Sequence, residues 1–147
     1  MHKPVTLTLP DSTATEALAA RLAARTRRGD AILLEGPLGA GKSTFARAFL
    51  RAASADPALE VPSPTFTLVQ GYDLPIGPAF HFDLWRLEGP ADLGELGWDE
   101  AREGIVLVEW PERLGRLVPA GALRVELAPG PEEDARLARL AGWEDRL

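Results

Sequence analysis

The octapeptide at positions 36–43, GPLGAGKS, constrains this chain more than any other part of its sequence. It matches the glycine-rich phosphate-loop pattern at every defined position, including the closing Lys-Ser pair. A continuous apolar run at 31–34 precedes it and predicts a strand buried on both faces. From 42 to about 54 the spacing is helical, with two phenylalanines one turn apart. A strand, a glycine-rich turn and a helix in this order predict an α/β nucleotide-binding fold.

The residue types in this loop suit the binding of phosphate groups. Glycines let the backbone turn so that successive N–H groups point at phosphate oxygens, and the following helix N-terminus adds partial positive charge. Lys42 would reach the terminal phosphates, and the Ser43 hydroxyl would ligate Mg²⁺. We therefore expect ATP or ADP with Mg²⁺ at this loop. The expected nucleotide-binding residues are Gly36, Pro37, Leu38, Gly39, Ala40, Gly41, Lys42, Ser43 and Thr44.

A phosphate-loop protein needs a carboxylate to help hold Mg²⁺, usually where a neighbouring strand ends. Glu109 follows the apolar run 105–108, as a Walker B acid would, and Asp83 follows the alternating segment 80–82. Either carboxylate, or both, could hold the metal; the alternative for each is a solvated strand end or an ion pair with arginine. With Lys42, these two acids form the candidate catalytic set.

Length and charge narrow the remaining possibilities. A chain of 147 residues predicts one domain over 1–147, and its 22 acidic and 16 basic residues give a net charge of −6, which disfavours direct nucleic-acid binding. The absence of cysteine excludes disulfides and thiolate metal sites. No apolar run approaches the roughly eighteen residues of a membrane helix, and no signal-peptide block follows the start. These observations predict a cytoplasmic protein with no membrane association and no disulfide partners.

Local patterns predict helices on both sides of the phosphate loop. The capping-box spacing of Thr13 and Glu16, with Gly29 at a helix C-terminal position, predicts a helix over about 13–28. The acidic segment 88–103 is weakly helical because glycines interrupt it, and a short helix is expected near 112–117.

Apolar runs and alternation predict the strands of a sheet, with an antiparallel hairpin between 66 and 84. The predicted fold class is α/β, a P-loop NTPase-like three-layer fold with a central mixed β-sheet flanked by helices. The predicted strands lie at 5–9, 31–34, 66–72, 80–84, 105–108, 123–127 and 135–140.

Several other features each have two interpretations. The segment 62–67 could be a switch-like loop near the terminal phosphate or a plain proline-rich connection. Trp85 and Trp110 each follow a candidate acid closely and could stack on a base or line the core or an interface. His81 is expected on one side of the hairpin and is assigned no catalytic role. A helical stripe of arginines is either a solvated face or an RNA contact: Arg21, Arg25 and Arg28.

Together, four blocks of sequence resemble the TsaE family, formerly YjeE. They are GPLGAGKST at 36–44, SPTFTLV at 63–69, HFDLWRL at 81–87 and VEWPE at 108–112, and the resemblance extends from about 5 to 127. It implies a bacterial ATPase required to form N6-threonylcarbamoyladenosine beside the anticodon of tRNAs that read codons starting with A. It also implies that the chain acts with the TsaD and TsaB proteins and meets tRNA indirectly through their complex.

The resemblance also implies roles for particular residues. The loop 36–44 would hold phosphates, Ser43 and Glu109 would hold Mg²⁺, and Asp83 would belong to the metal or water network. Ser43 stands where the family commonly has threonine, and both residues offer a hydroxyl. The further residues placed near the nucleotide are Ser12, Thr65, Trp110 and Arg136.

Two alternative functions remain open from the sequence. A small P-loop kinase would share the loop and fold class but usually carries an arginine-rich lid, whereas the segment 88–103 is acidic and the chain is short. A nucleotide-gated binding or assembly switch with negligible turnover would have the same nucleotide site. The switch is distinguished from an ATPase by whether Glu109→Ala abolishes turnover while still allowing partner binding.

Overall fold

The strands and helices alternate along the chain in a computed structural model that describes residues 4–37, 39–64, 67–143 and 145–147. The strands are β1 (Val5–Leu9), β2 (Ala31–Glu35), β3 (Val69–Leu74), β4 (Gly77–Asp83), β5 (Ile105–Glu109), β6 (Leu123–Pro129) and β7 (Arg136–Ala141). The helices are α1 (Ser12–Ala24), α2 (Lys42–Ser54) and α3 (Trp98–Ala101), with 3₁₀ helices at Pro90–Leu96 and Pro111–Leu117.

All seven strands join one mixed sheet in the order β1-β7-β6-β2-β5-β4-β3. The central strands β6, β2, β5 and β4 run parallel to one another. At one edge β3 and β4 form an antiparallel hairpin, and at the other β7 pairs antiparallel with both β6 and β1. The predicted mixed α/β sheet is therefore confirmed, and the carboxyl ends of β2, β4 and β5 meet at one edge.

Helices cover both faces of this sheet because strand side chains alternate between the two sides. Ile32 and Leu34 of β2 pack with Phe45 and Phe49 of α2, and α1 completes this layer. The residue between them, Leu33, lies in a second cluster on the opposite face. That second cluster joins β4 and β5 to the 3₁₀ helices and α3 through Phe82, Leu93, Trp98, Val106, Val108 and Leu114. The three-layer prediction is confirmed.

The helix predicted over 13–28 is shorter and begins with a different cap. Asp11 is the N-cap, and its side chain accepts a 2.9 Å hydrogen bond from the Ala14 amide, so Thr13 is not the cap. The helix ends at Ala24. Beyond it the Thr26 hydroxyl donates to the Leu22 carbonyl at 2.9 Å. A threonine hydroxyl competes in this way with backbone N–H groups for carbonyl acceptors, which weakens the end of a helix. Gly29, at φ +94°, belongs to the turn before β2.

The other predicted elements are present with shifted ends. Of the strand expected over 66–72, Phe66 lies outside the described residues. The described strand begins at Val69 and runs to Leu74, because Leu68 has a positive φ of 67° that interrupts extended backbone. The weakly helical segment 88–103 contains a 3₁₀ helix and α3, separated by Gly97 at φ +75°. The short helix predicted near 112–117 is a 3₁₀ helix. No helix in the described part of the chain is long and apolar enough to cross a membrane.

Candidate functional site

A cleft of about 440 Å³ opens at the sheet edge where β2, β4 and β5 end. Most of the residues predicted from the sequence lie around it, together with Ser63 from the 62–67 segment. The predicted residues that line the cleft are Gly39, Gly41, Lys42, Ser43, Thr44, Asp83, Glu109, Trp110 and Arg136. Gly36, Pro37, Ala40 and Ser12 do not line it.

The loop between β2 and α2 needs glycine at its first position. Gly36 has φ +143°, and a Cβ atom there would stand 2.3 Å from the Leu127 carbonyl oxygen of β6. Gly41, the residue before α2, has φ +98° and also lies in the left-handed region. The loop backbone can therefore approach both β6 and the cleft more closely than side-chain-bearing residues would allow.

Lys42 is the first residue of α2 and is buried, with 5% of its surface exposed. Its Nζ atom donates a 2.7 Å hydrogen bond to the Gly36 carbonyl oxygen and lies 4.2 Å from the centre of the Trp110 ring. No carboxylate within the described ranges forms an ion pair with it. A buried ammonium is costly without an opposite charge, so this side chain is suited to receive an anion from the cleft.

Two buried carboxylates face the cleft from neighbouring strands. Asp83 and Glu109 are the last residues of β4 and β5, and they are direct partners in the parallel register. Both side chains therefore lie on the same face of the sheet. The backbone N–H of Trp85 donates to Asp83 Oδ1 at 3.3 Å. Parallel pairing thus brings together two acids that are 26 positions apart, the difference between 109 and 83.

The donor set at the cleft fits a magnesium ion bound together with nucleotide phosphates. The oxygen atoms available to such an ion are those of the Asp83 and Glu109 carboxylates and the Ser43 hydroxyl, all of which line the cleft. No group of three or more His, Cys, Asp or Glu suited to a metal ion occurs among the described residues. Since Mg²⁺ usually keeps several waters and takes one or two carboxylates plus substrate phosphates, this set suits Mg²⁺ with a phosphate ligand.

His81 contacts this site through Glu109, a contact that the sequence pattern did not predict. Its Nε2 atom lies 2.7 Å from Glu109 Oε2, and the ring is 2% exposed. The available signal was its position two residues before Asp83, which places both side chains on one face of β4. The contact itself depends on how β4 pairs with β5, which the local pattern does not reveal.

Aromatic and basic side chains form the rest of the cleft wall. The rings of Trp85 and Trp110 lie 6.4 Å apart at an interplanar angle of 45°, and 45% of Trp85 is exposed. Trp110 has a left-handed backbone, φ 58° and ψ 53°, which turns the chain directly after Glu109. Both rings line the cleft, and Trp110 also packs against the second buried cluster.

Arg136, the first residue of β7, places its side chain beside Gly41 of the glycine-rich loop. Its guanidinium donates to the carbonyl oxygens of Glu133, at 2.8 Å, and Ala135, at 2.7 Å. Its Nε is buried with no hydrogen-bond partner in the described part of the chain, and lies 3.4 Å from where a Cβ of Gly41 would stand. An unpartnered donor beside the loop suits an anionic ligand.

The nucleotide-binding residues predicted from the sequence also include Ser12, Leu38 and Thr65. Ser12 is the exposed first residue of α1 and is outside the cleft lining. Leu38 and Thr65 lie outside the described residues, so their expected roles stay predictions.

These features define the class of the protein first. The protein has a parallel sheet core and a glycine-rich loop that leads from β2 into α2. It also has a buried lysine after that loop and acids at the ends of two adjacent strands. This combination is typical of a P-loop NTPase-like protein. The model of the family described as "Threonylcarbamoyl adenosine biosynthesis protein TsaE" matches residues 9–138. The chain belongs to the TsaE family.

Individual relatives agree with this assignment. The Rickettsia conorii protein named tRNA threonylcarbamoyladenosine biosynthesis protein TsaE is 36% identical over 121 residues, covering 82% of this chain and 69% of its own length. The Bacillus subtilis protein of the same name is 33% identical over 125 residues, covering 84% of this chain and 77% of its own. The crystal structure of Bacillus subtilis YdiB superposes with a TM-score of 0.78 at 28% identity, covering 99% and 90% of the two chains.

Proposed function

We propose that this chain is the Mg²⁺-dependent ATPase of the system that forms N6-threonylcarbamoyladenosine in tRNA. The observation that carries the proposal is the buried ammonium of Lys42, which shares a cleft with the carboxylates of Asp83 and Glu109. A nucleoside triphosphate bound with its magnesium ion needs a cation for the phosphates and oxygen ligands for the metal, and this cleft offers both.

Each part of the site has a role in this proposal. Lys42 exchanges its bond to the Gly36 carbonyl for the β- and γ-phosphate oxygens. Ser43 and Glu109 would hold Mg²⁺, and Asp83 would hold the metal or an attacking water. When bound, Mg²⁺ would neutralise charge on the phosphoryl group that is transferred.

The cleft wall suits the remainder of a nucleotide. Trp85 and Trp110 present aromatic surface close to the phosphate end, and Arg136 offers a donor beside the loop. Thr65 is proposed to belong to a switch-like loop near the nucleotide. Ser63 of the same segment lines the cleft, which supports this role. Ser12 lies outside the cleft lining, so it could contact the nucleotide only if part of the nucleotide extends beyond the cleft.

The partners proposed are the TsaD and TsaB proteins, acting as a heterodimer, with tRNA reached through their complex. The relatives of this chain are themselves named as tRNA threonylcarbamoyladenosine biosynthesis proteins, which supports a role in this modification. A net charge of −6 agrees with docking on protein more readily than on RNA. A protein acting in tRNA modification is expected in the cytoplasm.

One structural observation disfavours the kinase alternative. The segment 88–103, where a kinase lid would be sought, contributes Leu93 and Trp98 to the buried cluster under β4 and β5. Those side chains are 1% and 4% exposed, so this segment is part of the core and is not poised to close over a substrate. A binding switch with negligible turnover uses the same cleft and is separated from an ATPase by kinetics.

Steady-state ATP hydrolysis with Mg²⁺ tests the proposal. The purified chain is assayed alone and with the TsaD–TsaB heterodimer of the same organism, and the Lys42→Ala variant serves as the blank. Turnover that rises on addition of the heterodimer and disappears in Lys42→Ala supports the proposal. Nucleotide binding without turnover under either condition supports the switch, and transfer of phosphate to an added small molecule supports a kinase.

A further inference from the structure

His81 is a buried polar residue to which the proposed reaction assigns no direct step. Its Nε2 lies 2.7 Å from Glu109 Oε2, with the side chains 3% and 7% exposed. Because a carboxylate oxygen accepts, the hydrogen between them is carried by Nε2, and His81 is the donor. Its second ring nitrogen, Nδ1, is buried without a hydrogen-bond partner among the described residues. Glu109 is thus the only polar partner that the described structure provides for this ring.

The position of His81 places it behind Glu109, away from the ligand. Glu109 lines the cleft and His81 does not. In the parallel pairing of β4 with β5, His81 is the register partner of Leu107, two residues before Glu109. Both His81 and Glu109 therefore lie on the face covered by α1 and α2, with the imidazole toward the sheet interior and the carboxylate at its edge.

If the side chain at position 81 had only to fill the core, an apolar residue would stabilise the fold more than histidine. On the same face His81 is flanked by Ala79 of β4 and Leu107 of β5, which are apolar and belong to the buried cluster, and by Asp83 at the strand end. Burying an imidazole costs free energy unless it is fully hydrogen-bonded, and here one ring nitrogen lacks a partner. The packing of the sheet therefore does not account for histidine at this position, whereas the contact with Glu109 does.

We propose that His81 is a positioning residue that fixes the Glu109 carboxylate toward the metal in the cleft. The inference rests on the proposed function, since it gives Glu109 its role at Mg²⁺. A glutamate has three side-chain torsions, and a donor at one carboxylate oxygen restricts them before the ligand arrives. Groups that hydrogen-bond to metal ligands from behind act in this way, and their loss typically costs about 10–100-fold in metal affinity or activity.

A set of three substitutions separates the donor from the volume of the ring. In His81→Gln the amide nitrogen reaches about as far from the backbone as Nε2. In His81→Asn the amide nitrogen reaches only the Nδ1 position, and His81→Leu has no donor. Gln and Asn carry the same amide, so the pair differs chiefly in whether a donor can reach Glu109.

Two measurements are made on each variant in the full chain. The first is the affinity for a fluorescent ADP with and without Mg²⁺, and the second is kcat and KM for ATP hydrolysis. Thermal unfolding shows which variants are folded. We expect metal-free ADP affinity to change less than about twofold in all three, while the Mg²⁺-dependent gain in affinity and kcat fall about 10–100-fold in His81→Leu and His81→Asn. His81→Gln is expected to recover most of both quantities.

Several outcomes overturn the inference. It fails if His81→Leu keeps the wild-type Mg²⁺ gain and kcat, if Gln and Asn are equally impaired, or if metal-free ADP affinity falls as far as the Mg²⁺-dependent affinity. Should His81→Leu not fold, the comparison of Gln with Asn decides. Wild-type protein that binds Mg²⁺-ADP but does not turn over ATP contradicts the proposed ATPase function alone, because the affinity measurement still tests His81.

Discussion

The ammonium of Lys42 lies 4.2 Å from the centre of the Trp110 ring while it donates a 2.7 Å hydrogen bond to the Gly36 carbonyl oxygen. The side chain is therefore already ordered at the mouth of the cleft. Its partners are a neutral carbonyl and a ring face. An incoming phosphate can displace them because an ammonium gains more Coulomb energy from an anionic oxygen than from a neutral one.

Replacement of this lysine should remove most of the nucleotide affinity. Hydrogen bonds to charged groups contribute about 1.5–3 kcal/mol, so Lys42→Ala is expected to weaken ADP binding by at least about 10–100-fold. Isothermal titration calorimetry measures this directly. Lys3→Ala, at the only other lysine of the sequence, makes the same change in net charge and should bind like the wild type. Unchanged ADP affinity in Lys42→Ala would remove this lysine from the site.

Loss of the Ser43 hydroxyl should act through the metal. Ser43→Ala is expected to lower Mg²⁺-dependent ADP affinity by about tenfold or more and to leave metal-free affinity nearly unchanged, because the hydroxyl contributes a magnesium ligand. Titrations with and without EDTA measure the two affinities. Ser43→Thr keeps the hydroxyl and should retain the metal effect. Equal losses in both titrations would place Ser43 outside the metal shell.

Neutralising Glu109 should separate binding from turnover. Glu109→Gln keeps nearly the same volume and is expected to lower kcat by roughly 100-fold, together with the Mg²⁺-dependent gain in ADP affinity, because it neutralises a proposed metal ligand. Metal-free nucleotide binding and partner binding should remain. The exposed Glu112→Gln makes the same change in charge three positions away and should leave kcat unchanged. A Glu109→Gln variant with wild-type kcat would transfer the catalytic role to Asp83.

Adding a methyl group at two glycines of the loop should have different costs. Gly36→Ala places a Cβ 2.3 Å from the Leu127 carbonyl oxygen and is expected to destabilise the fold by about 2–5 kcal/mol, the sum of overpacking and left-handed strain. Gly39→Ala, at φ +80° with nothing within 4 Å, carries only the conformational cost of about 1–2 kcal/mol. Urea unfolding measures both. Equal costs would mean that the approach to Leu127 imposes no constraint.

Several elements could be predicted because their signals are local. The strand β2, the glycine-rich loop and the start of α2 at Lys42 follow from hydrogen bonding and side-chain spacing within a short segment. The mixed character of the sheet followed from one predicted hairpin beside two continuous apolar runs. The predicted end of α1 was wrong. The helix stops at Ala24, before the predicted position, and beyond it the Thr26 hydroxyl donates to the Leu22 carbonyl.

The sequence by itself determined that the chain has a phosphate loop, that Asp83 and Glu109 end strands, and that the fold is α/β, since each depends on residues close together in the chain. The tertiary structure alone decided which strands are neighbours, and with that the register of Asp83 with Glu109 and the bond from His81 to Glu109. That bond spans 28 positions, and its existence depends on a β4–β5 pairing that is selected by packing of the whole sheet. Local propensity contains no information about such a pairing, because both strands would have the same alternation with any neighbour.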